Sequence, residues 1–442
     1  ANDSTRLVRE PSTQEVPAEI VRTRPIRLTV GGYGEAVYSH RFYSNNWKRY
    51  TSPEKYANDH YGQFDLPHVV FYLGYDFGKG WSLGSEIEFE HGGVEAAVEM
   101  EEEENGEYET EVERGGEVFL EQLWIQKVFR PEAALRAGMI IIPVGGTNAH
   151  HEPNQFFGVY RPMGDNTILP CTWHEVGLQF HGRAQLTHNE GENFAIGYTA
   201  QLIPGLDSER FGSKNWLMYG SASPYEFKLG TCLAGAARLD FYIPRGPRIS
   251  LSGYCGTSFR NTLQNTNAEK YKGVRGLVGI GAVDFAYNAH GFIARGSALY
   301  GHLGDAAAIT TFNMSMSKNS VSKKQVVGSD AYSAWLEAGY DFFSLNAYLR
   351  HLQQKFYVYA HYDIYDSQAR VDGKRDYARA WCGRQRIAVG INYFPIPEIA
   401  IKAEYGHSIL NKAMGADGAL YRKFNDEPEF NIAVTYSGFF KL

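Results

Sequence analysis

The chain has 442 residues, a net charge of −7 and a slightly hydrophilic mean hydropathy of −0.37. It lacks the clustered basic surplus of a nucleic-acid binder, and its longest apolar runs, such as Met139–Val144, fall far short of the roughly 18 to 20 residues a membrane-spanning helix needs. With 30 Tyr, 26 Phe, 7 Trp and 47 Gly, the composition suits β-structure rich in amphipathic aromatics. The four cysteines, Cys171, Cys232, Cys255 and Cys382, are widely spaced and include no CxxC pair, so they read as free thiols or at most one bridge.

In chain order, residues 1–25 are polar, charged and proline-containing and are expected to form a periplasmic extension without its own fold. The opening residues ANDSTRLVRE show no signal-peptide pattern, so an exported chain would have lost its leader and Ala1 would be a mature start. From residue 26 onward, segments of about ten residues alternate apolar and polar side chains and end in Gly, Pro, Asn or Asp. Val69, Phe71, Leu73, Tyr75 and Phe77 share one strand face, with His68 and Tyr72 on the other. In the next strand, Trp81, Leu83, Ile87 and Phe89 oppose Glu86, Glu88 and Glu90.

The connections alternate in length. Short turns fall at 77–81, 130–133, 181–193, 244–248, 288–291, 344–355 and 394–398. Long polar loops fall at about 39–63, 91–116, 145–174, 204–230, 257–273, 302–330, 365–384 and 407–427. Seven turns and eight loops separate sixteen strands. A soluble sandwich has no reason to sort its loops by length, whereas an outer-membrane barrel places short turns at one rim and long loops at the other. The expected fold is all-β, a 16-stranded antiparallel transmembrane β-barrel spanning residues 26–442. It sits in outer-membrane lipid, and closure leaves no sheet edge for lipid to leave unsatisfied. The final strand agrees, with Phe430, Ile432, Val434, Tyr436, Phe440 and Leu442 opposite Asn431, Thr435 and Ser437.

Because the strand period is two, the lipid face fixes the lumen face. This assigns Arg27, Arg136, Arg238, Arg248, Arg295, Arg386 and Lys402 inward, together with Glu35, Glu86, Glu88, Glu90, Glu175, Asp240, Asp284, Glu337, Asp341, Asp363 and Glu404. So many charges predict a wet interior, since burying unpaired ions costs several kcal/mol each. Seven basic against eleven acidic residues predict at most a weak cation preference. The acidic stretch 99–117 reads as a solvated loop, because its spacing matches no defined calcium loop.

No GxSxG, HExxH, GxxxxGK[ST] or CxxC motif is present, and the SxxK matches at 315–318 and 320–323 lie in a polar loop without companion motifs. The chain therefore reads as a non-enzyme with no cofactor. His150, His151 and Glu152 are chemically suited to zinc, but consecutive residues of an extended segment point apart, so no metal site is assigned there.

The run 135–177 carries AGMIIIPVG, then HEP followed by F-x-G-V-x-R-P (His151 to Pro162), then P-x-T-W-x-E-x-G (Pro170 to Gly177). It resembles the Gram-negative outer-membrane porins that include the phosphate- and pyrophosphate-selective porins, and YVYAHYDIYD (357–366) and AIKAEYG (400–406) are similar to that family's closing strands. The resemblance implies a homotrimer of sixteen-stranded barrels in which the loop after the fifth strand folds inward and narrows the pore. The strand count independently places 145–174 after the fifth strand. The arginine ladder of phosphate-selective members has no counterpart in the mixed inward set. The expected function is passive diffusion of small hydrophilic solutes or ions through a bacterial outer-membrane channel. The alternatives are a channel specific for oligosaccharide, peptide or phosphate-type anion, or an adhesin on a barrel scaffold. The candidate constriction residues are His150, His151, Glu152, Tyr160, Arg161 and Asp165 on the loop, with Arg136, Glu175, Glu86 and Glu88 on the wall.

Overall fold

The structure, a computed structural model, describes residues 27–50, 52–92, 95–102, 108–115, 118–187, 193–223, 226–318, 320–373, 382–410 and 426–441. The proposed extension 1–25 lies outside them. The strands, in chain order, are β1 (Leu28–Arg41), β2 (Tyr61–Asp65), β3 (His68–Gly78), β4 (Trp81–Glu90), β5 (Glu95–Glu102), β6 (Tyr108–Gly115), β7 (Val118–Arg130), β8 (Ala133–Ile141), β9 (His174–Gln185) and β10 (Ala195–Pro204). They continue with β11 (Leu233–Tyr242), β12 (Arg248–Thr257), β13 (Leu277–Ala289), β14 (Phe292–Leu303), β15 (Asp330–Asp341), β16 (Lys355–Arg370), β17 (Gly383–Ile396), β18 (Ile399–Leu410) and β19 (Glu427–Lys441).

Each strand pairs antiparallel with its neighbour, and β1 closes on β19 from Thr29↔Lys441 to Arg41↔Glu429. β2 and β3 both pair with β1, from Arg41↔Tyr61 to Val37↔Asp65 and from Gly34↔Val69 to Leu28↔Tyr75. They are one wall strand interrupted at Leu66–Pro67, where proline has no N–H to give the ladder. β5 and β6 form a separate hairpin, so the barrel has the expected sixteen crossings. Within the stretch expected to be a solvated loop, that hairpin pairs Glu95↔Gly115 through Glu102↔Tyr108. Its strands alternate residues such as Val98 and Met100 with glutamates, a period-two pattern that favours pairing.

Val30, Phe71, Leu73, Ile87, Ile125, Leu178, Leu251, Leu336, Val389, Ile401, Ile432 and Val434 face outward as an exposed apolar band, which only lipid can cover at this extent. The short rim has tight turns. At 288–291, His290 (φ 54°) and Gly291 (φ 80°) both take the left-handed region that a two-residue primed hairpin turn requires. The four cysteines are free thiols.

Every charged residue assigned inward on a strand is buried or half-buried, whereas Arg27 precedes β1 and is exposed. The expectation of a wet lumen is met only in part. Glu86, Glu88 and Glu404 are about 1 % exposed or less, because loops folded into the barrel lie against the wall.

Candidate channel constriction

The segment between β8 and β9 enters the barrel because of its own composition. Ile142, Val144, Phe156, Phe157, Val159, Ile168, Leu169 and Trp173 are all buried, and a loop left in water could not hide them. Short helices, α1 (Gly146–Ala149) and α2 (Met163–Ile168), alternate with extended stretches broken by Pro153 and Pro162. The chain meets the wall at several places. The amide N–H groups of Gly145 and Gly146 donate to Ser252 Oγ and Ser297 Oγ, each at 3.0 Å. A Cβ on Gly146 would lie 3.0 Å from that of Ser297, so glycine permits this approach.

Lys402 of β18 is the most heavily used anchor. Its buried Nζ donates to the carbonyls of Phe156 and Gly158, both at 2.9 Å, and to that of Pro153. It also sits 4.6 Å from the Phe156 ring centroid. Asn392 Nδ2 donates to the Phe157 carbonyl at 3.1 Å, while the Phe157 N–H donates to Glu337 Oε2 at 3.1 Å. The Phe157 ring stacks on Tyr359, with centroids 5.1 Å apart and planes at 11°, in space left by Gly339.

Glu152 and Asp165 are wall anchors. Glu152 Oε2 accepts from Ser437 Oγ at 2.9 Å. Asp165 accepts from Thr147 Oγ1 at 2.7 Å, from Trp335 Nε1 at 3.1 Å and from Ser333 Oγ. The Tyr160 hydroxyl meets Ser39 Oγ at 2.8 Å. Arg161 Nε donates to the His151 carbonyl at 3.1 Å. His150 faces a different part of the wall, where burial and the cations of Arg248, Arg238 and Arg295 hold its imidazole well below the usual range. The two consecutive histidines diverge, as the spacing argument requires.

His151 Nε2 lies 3.2 Å from Glu121 Oε1, and the Tyr33 hydroxyl donates to Glu121 Oε2 at 3.3 Å. Glu121 is absent from the candidate set because regular alternation turns it toward lipid. A bulge opposite Glu86 and Ile87 inserts one residue into β7, so that Glu121 and Gln122 both face the lumen. The signal is present in the sequence. The outward residues Val118, Leu120, Leu123 and Ile125 slip phase by one between 120 and 123. His361 was also missed; it bridges Asp363 at 2.6 Å and Glu337 at 3.2 Å.

The four wall candidates separate. Arg136 donates to Gln126 Oε1 at 2.9 Å from Nη2, and its guanidinium lies 3.8 Å from the Trp124 ring centroid. Glu175 pairs with Lys228 at 3.2 Å. Glu86 accepts from Gln122 Nε2, and Glu88 accepts no hydrogen bond from the described residues. Across the lumen, Gly146, His150, Gln155, Arg248, Asp284 and Arg295 help line a solvent-open recess with about 380 Å³ of empty space. Its cations are matched by anions: Arg248 lies 3.5 Å from Asp284, and Arg295 lies 3.1 Å from Glu337, while Arg238 beside it makes two 2.8 Å bonds to Asp284.

Toward the long-loop rim, one side of the lumen is filled by a dry cluster including Trp173, Leu206, Phe211, Trp216, Phe259, Tyr271, Ile309 and Phe312, contributed by four loops. Glu209 ties three of them together. It accepts from Thr262 Oγ1 at 2.5 Å and from Ser322 Oγ, and its carbonyl accepts from the Lys323 N–H at 3.0 Å. This cluster was not legible as interior, because each piece lies in a segment read as a polar loop.

The chain is 28 % identical over 386 residues, 86 % of its length and 75 % of the relative's, to an uncharacterized protein of Aquifex aeolicus (strain VF5). It matches no established family profile. Among solved structures it is similar to an anion-selective porin from Comamonas acidovorans, with a TM-score of 0.51 and 11 % identity, covering 93 % of this chain and 99 % of that one. It is also similar to the OmpF of Salmonella typhi, solved with daunomycin, with a TM-score of 0.50 and 9 % identity, covering 92 % and 97 %. The chain has the closed sixteen-stranded antiparallel barrel fold found in outer-membrane porins.

Proposed function

We propose that this chain is a bacterial outer-membrane porin, a narrow passive channel for small hydrophilic solutes or ions, in which 145–174 forms the constriction. The observation that carries the reading is a polar loop segment locked inside a lipid-banded barrel by Lys402, Asn392 and Glu337. Only a barrel with a path to restrict gains from holding irregular backbone at membrane depth, where every polar group needs a partner. The apolar cluster and the covered wall take up part of the lumen, so the expected unitary conductance is low for a sixteen-stranded barrel.

The arginines facing the lumen do not form the unpaired run that phosphate selection requires. Arg238 is held by Asp284 and Asp240, Arg295 by Glu337, and Arg386 by Glu404 and Glu429. Glu90 is half-buried on the inner wall, within an inward set in which acidic residues outnumber basic ones, which favours a weak cation preference. The resemblance of 135–177 to trimeric porins supports assembly as a homotrimer. Reconstitution into planar bilayers tests the reading: small stepwise increments with a linear current–voltage relation are expected, and a correctly folded barrel that produces no steps overturns it.

A further inference from the structure

We propose that His68, Glu88 and Glu90 bind a divalent first-row transition-metal cation on the inner wall, at the long-loop end of β3 and β4. One ring nitrogen of His68 and one carboxylate oxygen from each glutamate lie within 4.8 Å of one another. The strand register creates the arrangement: His68 stands directly across from Glu90, and Glu88 follows two residues along on the same face.

The second observation is Glu88 itself. It is 0 % exposed, and among the described residues none donates a hydrogen bond to either of its oxygens. A buried carboxylate in that condition costs several kcal/mol unless a cation or a retained proton meets it. Arg161 is the nearest candidate counter-charge and interacts with Glu88 electrostatically, but its Nη atoms make no hydrogen bond to it. One guanidinium also leaves the surrounding set of Glu35, Glu86, Glu88, Glu90 and Glu121 strongly acidic.

The donor chemistry selects the metal. An imidazole beside two carboxylates suits zinc, cobalt or manganese, whereas calcium prefers oxygen ligands throughout. His68 is also prepared for the role. Glu35 Oε1 bonds its Nδ1 at 2.6 Å, the carboxylate–imidazole contact that fixes the ring of a metal-binding histidine. Bond lengths of about 2 Å bring tetrahedral ligand atoms to roughly 3.3 Å apart, so modest side-chain rotations close the site around an ion.

The test uses the full chain purified in detergent, stripped with chelator and titrated calorimetrically with Zn²⁺, and with Co²⁺ by visible absorption. One saturating equivalent per chain is expected, with Zn²⁺ preferred over Ca²⁺. Glu88→Gln and His68→Gln should each weaken binding at least about tenfold. Heat-modifiable migration reports folding, and Glu90→Gln serves if Glu88→Gln does not fold. The proposal is overturned if the wild type shows no saturable binding, if the folded variants bind as it does, or if Ca²⁺ matches Zn²⁺. Binding is read without conductance, so a barrel that binds Zn²⁺ yet carries no current contradicts only the channel reading.

Discussion

His151 Nε2 lies 3.2 Å from Glu121 Oε1, and it does so because a one-residue bulge turns Glu121 from the lipid face to the lumen. Both side chains are buried, and the Tyr33 hydroxyl gives Glu121 a second contact at 3.3 Å. Glu121→Ala should cost about 1–3 kcal/mol by leaving the buried Tyr33 hydroxyl without its acceptor, whereas Glu121→Gln should cost less because an acceptor oxygen remains. Urea titration of the detergent-folded barrel measures the difference. Equal losses would show that the contact contributes little.

Lys402 should control the loop more than any other single residue. Lys402→Met keeps the packing volume but strips partners from the carbonyls of Pro153, Phe156 and Gly158. Expected results are a stability loss of about 3 kcal/mol and a larger, noisier unitary conductance as the loop lifts from the wall. Unchanged single-channel records would mean the loop is held mainly by its apolar side chains.

How much of this was legible before the structure follows from what alternation reports. The period of two located sixteen crossings and put Glu86, Glu88, Glu337 and Lys402 on the inner face, because lipid imposes one repeating rule on every strand. The same rule leaves Glu121 out of the inward set, since a bulge breaks the period locally. Loop residues follow no such rule. Glu152 and Asp165, candidate constriction residues, accept hydrogen bonds from Ser437, Thr147 and Trp335, partners as many as 285 positions away in the chain that alternation cannot report. The apolar cluster of Phe211, Trp216, Phe259 and Phe312 was hidden for the same reason, because its members meet only in three dimensions.

Asp207, in the loop after β10, gives the outer loops a pH dependence. Burial pushes its carboxyl up to about 7, even though its side chain accepts from the Glu209 N–H at 3.0 Å. The folded loop holds this proton more tightly than the unfolded chain, whose carboxyl titrates near 4. Its contribution is therefore full below about pH 4 and is lost as pH rises through about 7, by about 4 kcal/mol at most. Hydrogen exchange of residues 205–222 should quicken between pH 5 and 8 beyond the intrinsic chemical rate, and Asp207→Asn should remove that excess.

Glu209 joins the loops after β10, β12 and β14 through Thr262, Ser322 and Lys323. Glu209→Ala should expose this rim to limited proteolysis while leaving the barrel's heat-modifiable migration intact. Cleavage no faster than in the wild type would assign the rim's order to the apolar cluster alone.

The central claim is that the barrel conducts through a narrow path whose surplus charge is acidic. It is tested most directly by the reversal potential of reconstituted channels across a tenfold KCl gradient. The account predicts a small potential of the sign produced by K⁺ moving down its gradient, shrinking when the half-buried Glu90 is replaced by Gln. A potential of the opposite sign, or a folded barrel that passes no current, would contradict it.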